Sequence, residues 1–258
     1  MPGVGSFQVL IALAVVFALA SLAGLSRQPD APLAPLETGL RQSLRAPLAC
    51  PHYRRFVLFA GYWTLSLLVA LPFAIPYFLG ELRMSFTQVA LWQATTALTA
   101  LVIAPALGKF ADRAGYRPLL MLSTLGPGAL TPLFWVAASP GNLTPVWLSA
   151  VTEAFTMGAI TPALFGMALA RAPEGERVSF TAILFVGMGA AGLIGGLVSA
   201  PLLGAFAGPA NPLPGLNAHQ ALFALSAVMR ALAWLWLRGV REEGAWTVRQ
   251  VIRFALRS

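Results

Sequence analysis

Seven long apolar stretches separated by short polar ones organise the chain, at residues 6–25, 56–80, 86–107, 117–138, 144–170, 178–207 and 218–238. Each supplies roughly the 20 consecutive apolar residues that a helix needs to cross the hydrocarbon core of a bilayer. None alternates apolar and polar positions in the short segments that a membrane β-barrel requires. The pattern therefore predicts an all-α membrane protein with about seven transmembrane helices.

Composition agrees: 58% of the residues are hydrophobic, 10% are charged and the mean hydropathy is +0.75, too little polar surface for a soluble globule. A net charge of +8 would suggest nucleic acid as the partner of a soluble protein. Here the bases fall between the apolar stretches instead, as the positive-inside rule describes, and nucleic acid is not an expected partner. Cys50 is the only cysteine, which removes a disulfide framework and a thiolate zinc site. No metal or cofactor is expected.

The charges also set an orientation. Arg27, Arg41, Arg45, Arg54 and Arg55 stand against only Asp30 and Glu37 in the first long connection. Lys109, Arg113 and Arg117, then Arg171 and Arg177, then Arg238, Arg241, Arg249, Arg253 and Arg257 all fall on the same side. The opposite connections hold Arg83 alone. These asymmetries predict a multi-pass plasma-membrane protein with its amino terminus outside and its carboxy terminus cytoplasmic. Residues 1–6 carry no base and arginines follow the first stretch, so that stretch reads as a retained helix rather than a cleaved signal peptide. The organisation is then a transmembrane helix at 1–25, an Arg/Pro-rich cytoplasmic linker at 26–55, a six-helix bundle at 56–238 and a basic tail at 239–258. Leu36, Leu40 and Leu44 beside Arg41 and Arg45 suggest a short helix on the membrane surface. Arg249, Arg253 and Arg257 share one helical face in the tail, which suits either a surface helix or a solvated tail.

Between the third and fourth stretches stands Gly108-Lys109-Phe110-Ala111-Asp112-Arg113-Ala114-Gly115-Tyr116-Arg117-Pro118. This run resembles the signature loop of the major facilitator superfamily: a glycine, an aspartate four residues on, a base, a second glycine and further bases. Tyr116 departs from that pattern, occupying a place where the family usually has a base. Gly108 can admit a neighbouring helix, Gly115 can turn the chain, Asp112 suits the positive end of another helix, and Arg113 and Arg117 suit carboxylates or lipid phosphate. The resemblance implies that Gly108, Asp112, Arg113, Gly115 and Arg117 form a conformational latch at the cytoplasmic face. It extends in register to Pro51–Phe56, which looks like the entry to the family's seventh helix, and to Arg171–Arg177, like the loop between its tenth and eleventh. The last six helices thus resemble one six-helix half of that fold, preceded by one further helix.

What the resemblance implies is secondary active transport of a small-molecule substrate by alternating access, with or without a coupling proton, in contact with membrane lipid. Complete members join two six-helix halves. Transport by this chain would then call for a homodimer, a separate amino-terminal half or a longer start. The rival expectation is a partner-dependent half-transporter with no transport of its own.

Glu153 and Arg230 lie deep inside their stretches, where charges are costly and mark candidate sites. Both sit at similar depth, roughly 14 and 18 Å from the outer end by helical rise, so they can pair. Glu153, on the counterpart of a cavity-lining helix, is the better candidate for substrate or proton binding, and a purely structural pair is the alternative. Tyr62, Trp63 and Gln93 lie on other counterparts of cavity-lining helices, where helix-to-helix hydrogen bonding is the plainer explanation. Gly187-Met188-Gly189-Ala190-Ala191-Gly192 matches a dinucleotide-binding pattern by letter but lacks its strand and acid. Small-residue packing explains it better: Gly187, Ala191, Gly195 and Ser199 form one stripe, and Gly192, Gly196, Ala200 and Gly204 another. Ser85 and Gln88 read as a capping box, and Pro72, Pro76, Pro132, Pro162 and Pro201 as bends or breaks. No catalytic residue is expected. His52 and His219 lie near stretch ends, Asp30 and Asp112 lie between stretches, and the single lysine, Lys109, is not inside the bundle as retinal chemistry would require.

Overall fold

A computed structural model of the protein describes residues 4–27, 40–173, 175–208, 211, 213–240, 242, 244–246, 250 and 253. The chain divides into two compact units, Met1–Glu37 and Thr38–Ser258. The first holds α1 (Val4–Leu25), 22 residues with no charged side chain. By helical rise it is about 33 Å long, enough to cross a bilayer.

The second unit begins with α2 (Leu40–Ala49), on which Leu40, Arg41, Leu44 and Arg45 fall; Leu36 lies outside the described residues. Six helical stretches follow that are long and apolar enough to cross a membrane: Pro51–Gly80, Phe86–Ala114, Tyr116–Ala137, Thr144–Arg171, Arg177–Ala207 and Ala218–Leu237. The first is made of α3 (Pro51–Leu68), a 3-10 turn (Leu71–Phe73) and α4 (Ala74–Gly80). It starts five residues earlier than the apolar pattern suggests, because Pro51 needs no N–H partner in the first turn and Cys50 is extended before it. Arg54 and Arg55 are therefore helical. The second stretch, α5 (Phe86–Ala114), opens with the Ser85–Gln88 capping box, in which Ser85 Oγ accepts from the Gln88 N–H at 3.1 Å and Gln88 Oε1 accepts from the Ser85 N–H at 2.8 Å. It continues through Gly108–Ala114, so most of the signature run is helix rather than loop. Nothing in Lys109–Ala114 disfavours helix, and the chain turns only at Gly115.

The third stretch is α6 (Tyr116–Ser123), a π turn (Thr124–Gly128) and α7 (Ala129–Ala137). The break falls at Gly126-Pro127-Gly128, where proline cannot complete the helical ladder. Of the prolines expected to bend or break helices, Pro72 lies in the 3-10 turn, Pro76 and Pro132 stand in the first turns of α4 and α7 just after a break, and Pro162 and Pro201 ride inside unbroken helices. The remaining elements are α8 (Thr144–Arg171), α9 (Arg177–Ala207), α10 (Ala218–Leu232) and α11 (Trp234–Leu237). Among the described residues the elements are helices, joined by turns and one isolated bridge between Ser139 and Asn142.

Within this unit α3 packs along α9, α5 along α8, and α7 along α10, while α6 and the π turn lean on α8. Small residues let α9 approach α3 closely: a Cβ added to Gly187 would lie 2.7 Å from Val57 Cγ1, and one added to Gly195 would lie 3.2 Å from Leu68 Cβ. Two cores result. One, at the arginine-rich end, gathers Tyr53, Phe56, Phe59, Trp63, Leu120 and Phe180. The other interlocks Tyr77, Phe78, Trp92, Trp135 and Phe223 edge to face, with ring centroids 5.1 Å apart for Tyr77–Phe223 and 5.2 Å for Trp135–Phe223. Ser149 Oγ accepts both indole N–H groups there, from Trp92 at 3.1 Å and Trp135 at 2.9 Å. By contrast only 11% of the most apolar window of α5, and of α9, is buried. Their outward side chains, such as Leu101, Val102, Leu193 and Leu197, are exposed and apolar.

Candidate functional site

The helix ends carrying Arg54 and Arg55, Lys109 and Arg113, Arg117, Arg171 and Arg177, and Arg238 meet at one end of the bundle. The turn between α5 and α6 is the focus of this end. Gly115 has φ 92 and ψ 163, a backbone region that only glycine enters without strain. Directly after it, the N–H groups of Tyr116 and Arg117 donate to Glu242 Oε1 at 3.0 Å and Oε2 at 2.7 Å. A carboxylate thus caps α6, satisfying two otherwise orphan donors and meeting the positive end of the helix. The Trp246 N–H donates to the Ala114 carbonyl at 2.8 Å, a further tie to the turn. A Cβ on Gly115 would lie 2.8 Å from Ala245 Cβ and 3.0 Å from Glu242 Oε2, so glycine is required by space as well as by backbone angle.

Arg117 Nε donates to the Leu237 carbonyl at 3.2 Å and Arg55 Nη1 to the Gly239 carbonyl at 3.4 Å, each placing a cation on the carbonyl end of the last helix. Asp112, Arg113 and Lys109 are exposed and make no hydrogen bond or ion pair to another described side chain. Among the described residues nothing lies within 4 Å of a Cβ added to Gly108, so none of them uses the close approach that this glycine permits. Glu242 went unnoticed in the sequence because its partners are more than a hundred residues away and its surroundings read as a basic tail.

Glu153 of α8 and Arg230 of α10 are brought together inside the bundle, with Nη1 4.0 Å from Oε2. Arg230 is 0% exposed and Glu153 6%. Arg230 Nε also donates to Ser226 Oγ at 3.1 Å, and Nη1 donates at 3.3 Å to the Gly128 carbonyl. That carbonyl ends the π turn, and its partner in an α-helical ladder would be Pro132, which has no N–H to donate. The guanidinium stands 6.0 Å from the Trp63 ring. Neither Arg230 Nη2 nor Glu153 Oε2 has a hydrogen-bond partner among the described residues. Trp63 is buried beside the pair, Tyr62 is half-buried with its ring 5.8 Å from that of Trp236, and Gln93 is exposed on α5. The five side chains expected along a substrate or proton pathway therefore do not share one site.

Of the α9 glycines, Gly187, Gly192 and Gly195 face α3, Gly192 with Leu68 Cδ1 2.9 Å from an added Cβ, whereas Gly196 faces open space. At the opposite end of the bundle a second polar knot forms. Asn217 and His219, at the start of α10, both bind the Glu81 carboxylate after α4, and Gln220 Nε2 donates to the Val136 carbonyl of α7 at 3.0 Å. The His219 ring rests on Tyr77, with centroids 5.7 Å apart.

No curated protein matches the chain. The family model for the Major Facilitator Superfamily matches residues 55–256, which run from the first turns of α3 into the tail. Six apolar helices of spanning length and a family match over most of the sequence agree: this chain is a member of the major facilitator superfamily of membrane transporters.

Proposed function

We propose that the chain carries out secondary active transport of a small solute by alternating access, with the α5–α6 turn as its cytoplasmic latch. The observation that carries this reading is the contrast within the signature run. Tyr116 and Arg117 are tied to Glu242, Ala114 to Trp246 and Arg117 also to Leu237 of α11, while Asp112 stands unengaged beside them. A rigid mount bearing an unengaged carboxylate suits a reversible contact with an opposing half. The uncovered face of α9, and the part of α5 outside the Leu98–Val102 strip, leave room for that half, supplied by a second copy or by a separate amino-terminal half. Among the described residues of this unit, the gathering of bases at one end, against Arg83 alone among the arginines and lysine at the other, supports a cytoplasmic position for the latch. Glu153 and Arg230 tie the bundle internally.

Asp112→Asn tests the latch. Loss of one charge at a helix terminus is worth about 1 kcal/mol or somewhat more, enough to change flux in reconstituted vesicles roughly fivefold or more without affecting insertion. Unchanged flux would remove Asp112 from the mechanism. The uncovered faces also favour a second reading, a half-transporter inactive alone. Silence of the wild-type chain in vesicles, with flux restored by a co-expressed amino-terminal half, decides for it.

A further inference from the structure

We infer that the outer face of α5 is a binding site for one anionic membrane phospholipid, with its phosphate held between Lys109 and Arg113. A cavity of about 270 Å³ opens at this end of the helix, lined by Ala106, Lys109, Phe110, Arg113 and Trp246. Two cations one helical turn apart thus border a pocket whose other walls are apolar. Of the other bases at this end, Arg117 and Arg55 hold backbone carbonyls, Arg238 lies over Trp234 at 5.1 Å, and Arg54, Arg171 and Arg177 do not line the cavity. Lys109 and Arg113 have no such partner among the described residues.

The face continues along the helix in register. Leu98, Val102, Ala106, Lys109 and Arg113 recur at helical spacing, and Leu98 and Val102 are 63% and 76% exposed. From Leu98 to Ala106 the rise is about 12 Å, close to the roughly 15 Å of one hydrocarbon leaflet. An acyl chain along this strip puts its headgroup phosphate level with the two cations and the indole of Trp246 at the interface, where tryptophan is favoured. Asp112 flanks the site about 100° round the helix from Arg113 and does not line the cavity. Apolar strip, interfacial ring and paired cations together fit an amphiphile, which a free anion would use only in part. The wall formed by Trp246 exists because its N–H is fixed to Ala114, so the tail completes the site.

The inference does not rest on transport, and its test needs no flux. The full-length protein in neutral detergent is titrated with dioleoyl phosphatidylglycerol, dioleoyl phosphatidylcholine and inorganic phosphate, and bound lipid is counted by native mass spectrometry. One phosphatidylglycerol should bind at least about tenfold more tightly than phosphatidylcholine, and Lys109→Gln/Arg113→Gln should abolish that preference. Arg54→Gln/Arg177→Gln, which removes two exposed bases outside the cavity, should leave it intact and controls for net charge. Trp246→Ala, which keeps both cations, should weaken retention of both lipids. Equal affinity for the two lipids, a preference that survives loss of Lys109 and Arg113, or displacement of the lipid by millimolar phosphate would each overturn the assignment.

Discussion

Glu242→Ala should release the carboxy-terminal segment from the α5–α6 turn. In the wild type, two charge-assisted hydrogen bonds, at 3.0 and 2.7 Å, join the carboxylate to consecutive backbone N–H groups. Bonds of that kind contribute about 1.5–3 kcal/mol each when well shielded. Glu242, Tyr116 and Arg117 are half-buried, so a sum of about 2 kcal/mol is the working figure after screening by water. That energy corresponds to roughly a 30-fold change in a local opening equilibrium. Amide hydrogen exchange on the detergent-solubilised protein reads it directly. Peptides covering residues 114–118 and 244–246 should exchange about 30-fold faster in the variant, while the peptide holding the Asn217–Gln220 cap should not change. Glu242→Gln keeps one acceptor oxygen and should fall between, at about fivefold. Unaltered exchange at Tyr116, Arg117 and Trp246 would show that the carboxylate does not hold the turn.

Glu153→Gln leaves Arg230 buried without its counter-charge. Because the contact is only at the 4.0 Å limit, the loss should be about 2 kcal/mol rather than the 3–5 typical of tight buried pairs. The double variant Glu153→Gln/Arg230→Met should regain most of the melting temperature in detergent, and strict additivity of the two single changes would contradict the pairing. Gly128→Ala would place its Cβ 2.7 Å from both the Ser123 carbonyl and the Trp63 ring, costing about 1–3 kcal/mol. Gly126→Ala, two residues earlier, meets nothing within 4 Å and should melt like the wild type; equal melting of the two variants would undo this account.

The boundaries of the last four spans were legible to about one residue because a bilayer demands long uninterrupted apolar runs, and only helices satisfy the backbone there, whereas α5 runs on to Ala114, seven residues past its apolar run. The start at Pro51 was less legible: Arg54 and Arg55 look like linker, yet their stems can follow a helix while their heads reach water. The breaks show why proline alone misleads. Within a helix that packs on neighbours, Pro162 or Pro201 loses one hydrogen bond, whereas Gly126-Pro127-Gly128 combines proline with two residues of weak helix preference. Depth along the span placed Glu153 and Arg230 together, because rise per residue is nearly constant. Their enclosure was not readable, since it depends on which face of α8 turns towards α10. Glu242 and Glu81 were missed for a related reason: each finds its partners far along the sequence, and no local spacing announces such a contact.

The Glu81 knot at one end and the Glu242 clasp at the other have a joint mechanical consequence. The first stitches together the ends of α4 and α10, with α7 joined through Gln220; the second binds the junction of α5 and α6 to the segment after α11. Shearing α10 and α11 past their neighbours would have to tear a carboxylate from its donors at both mouths together. Rocking of the Thr38–Ser258 unit as a single block leaves both sutures intact, and the compliance needed for movement is left to its periphery.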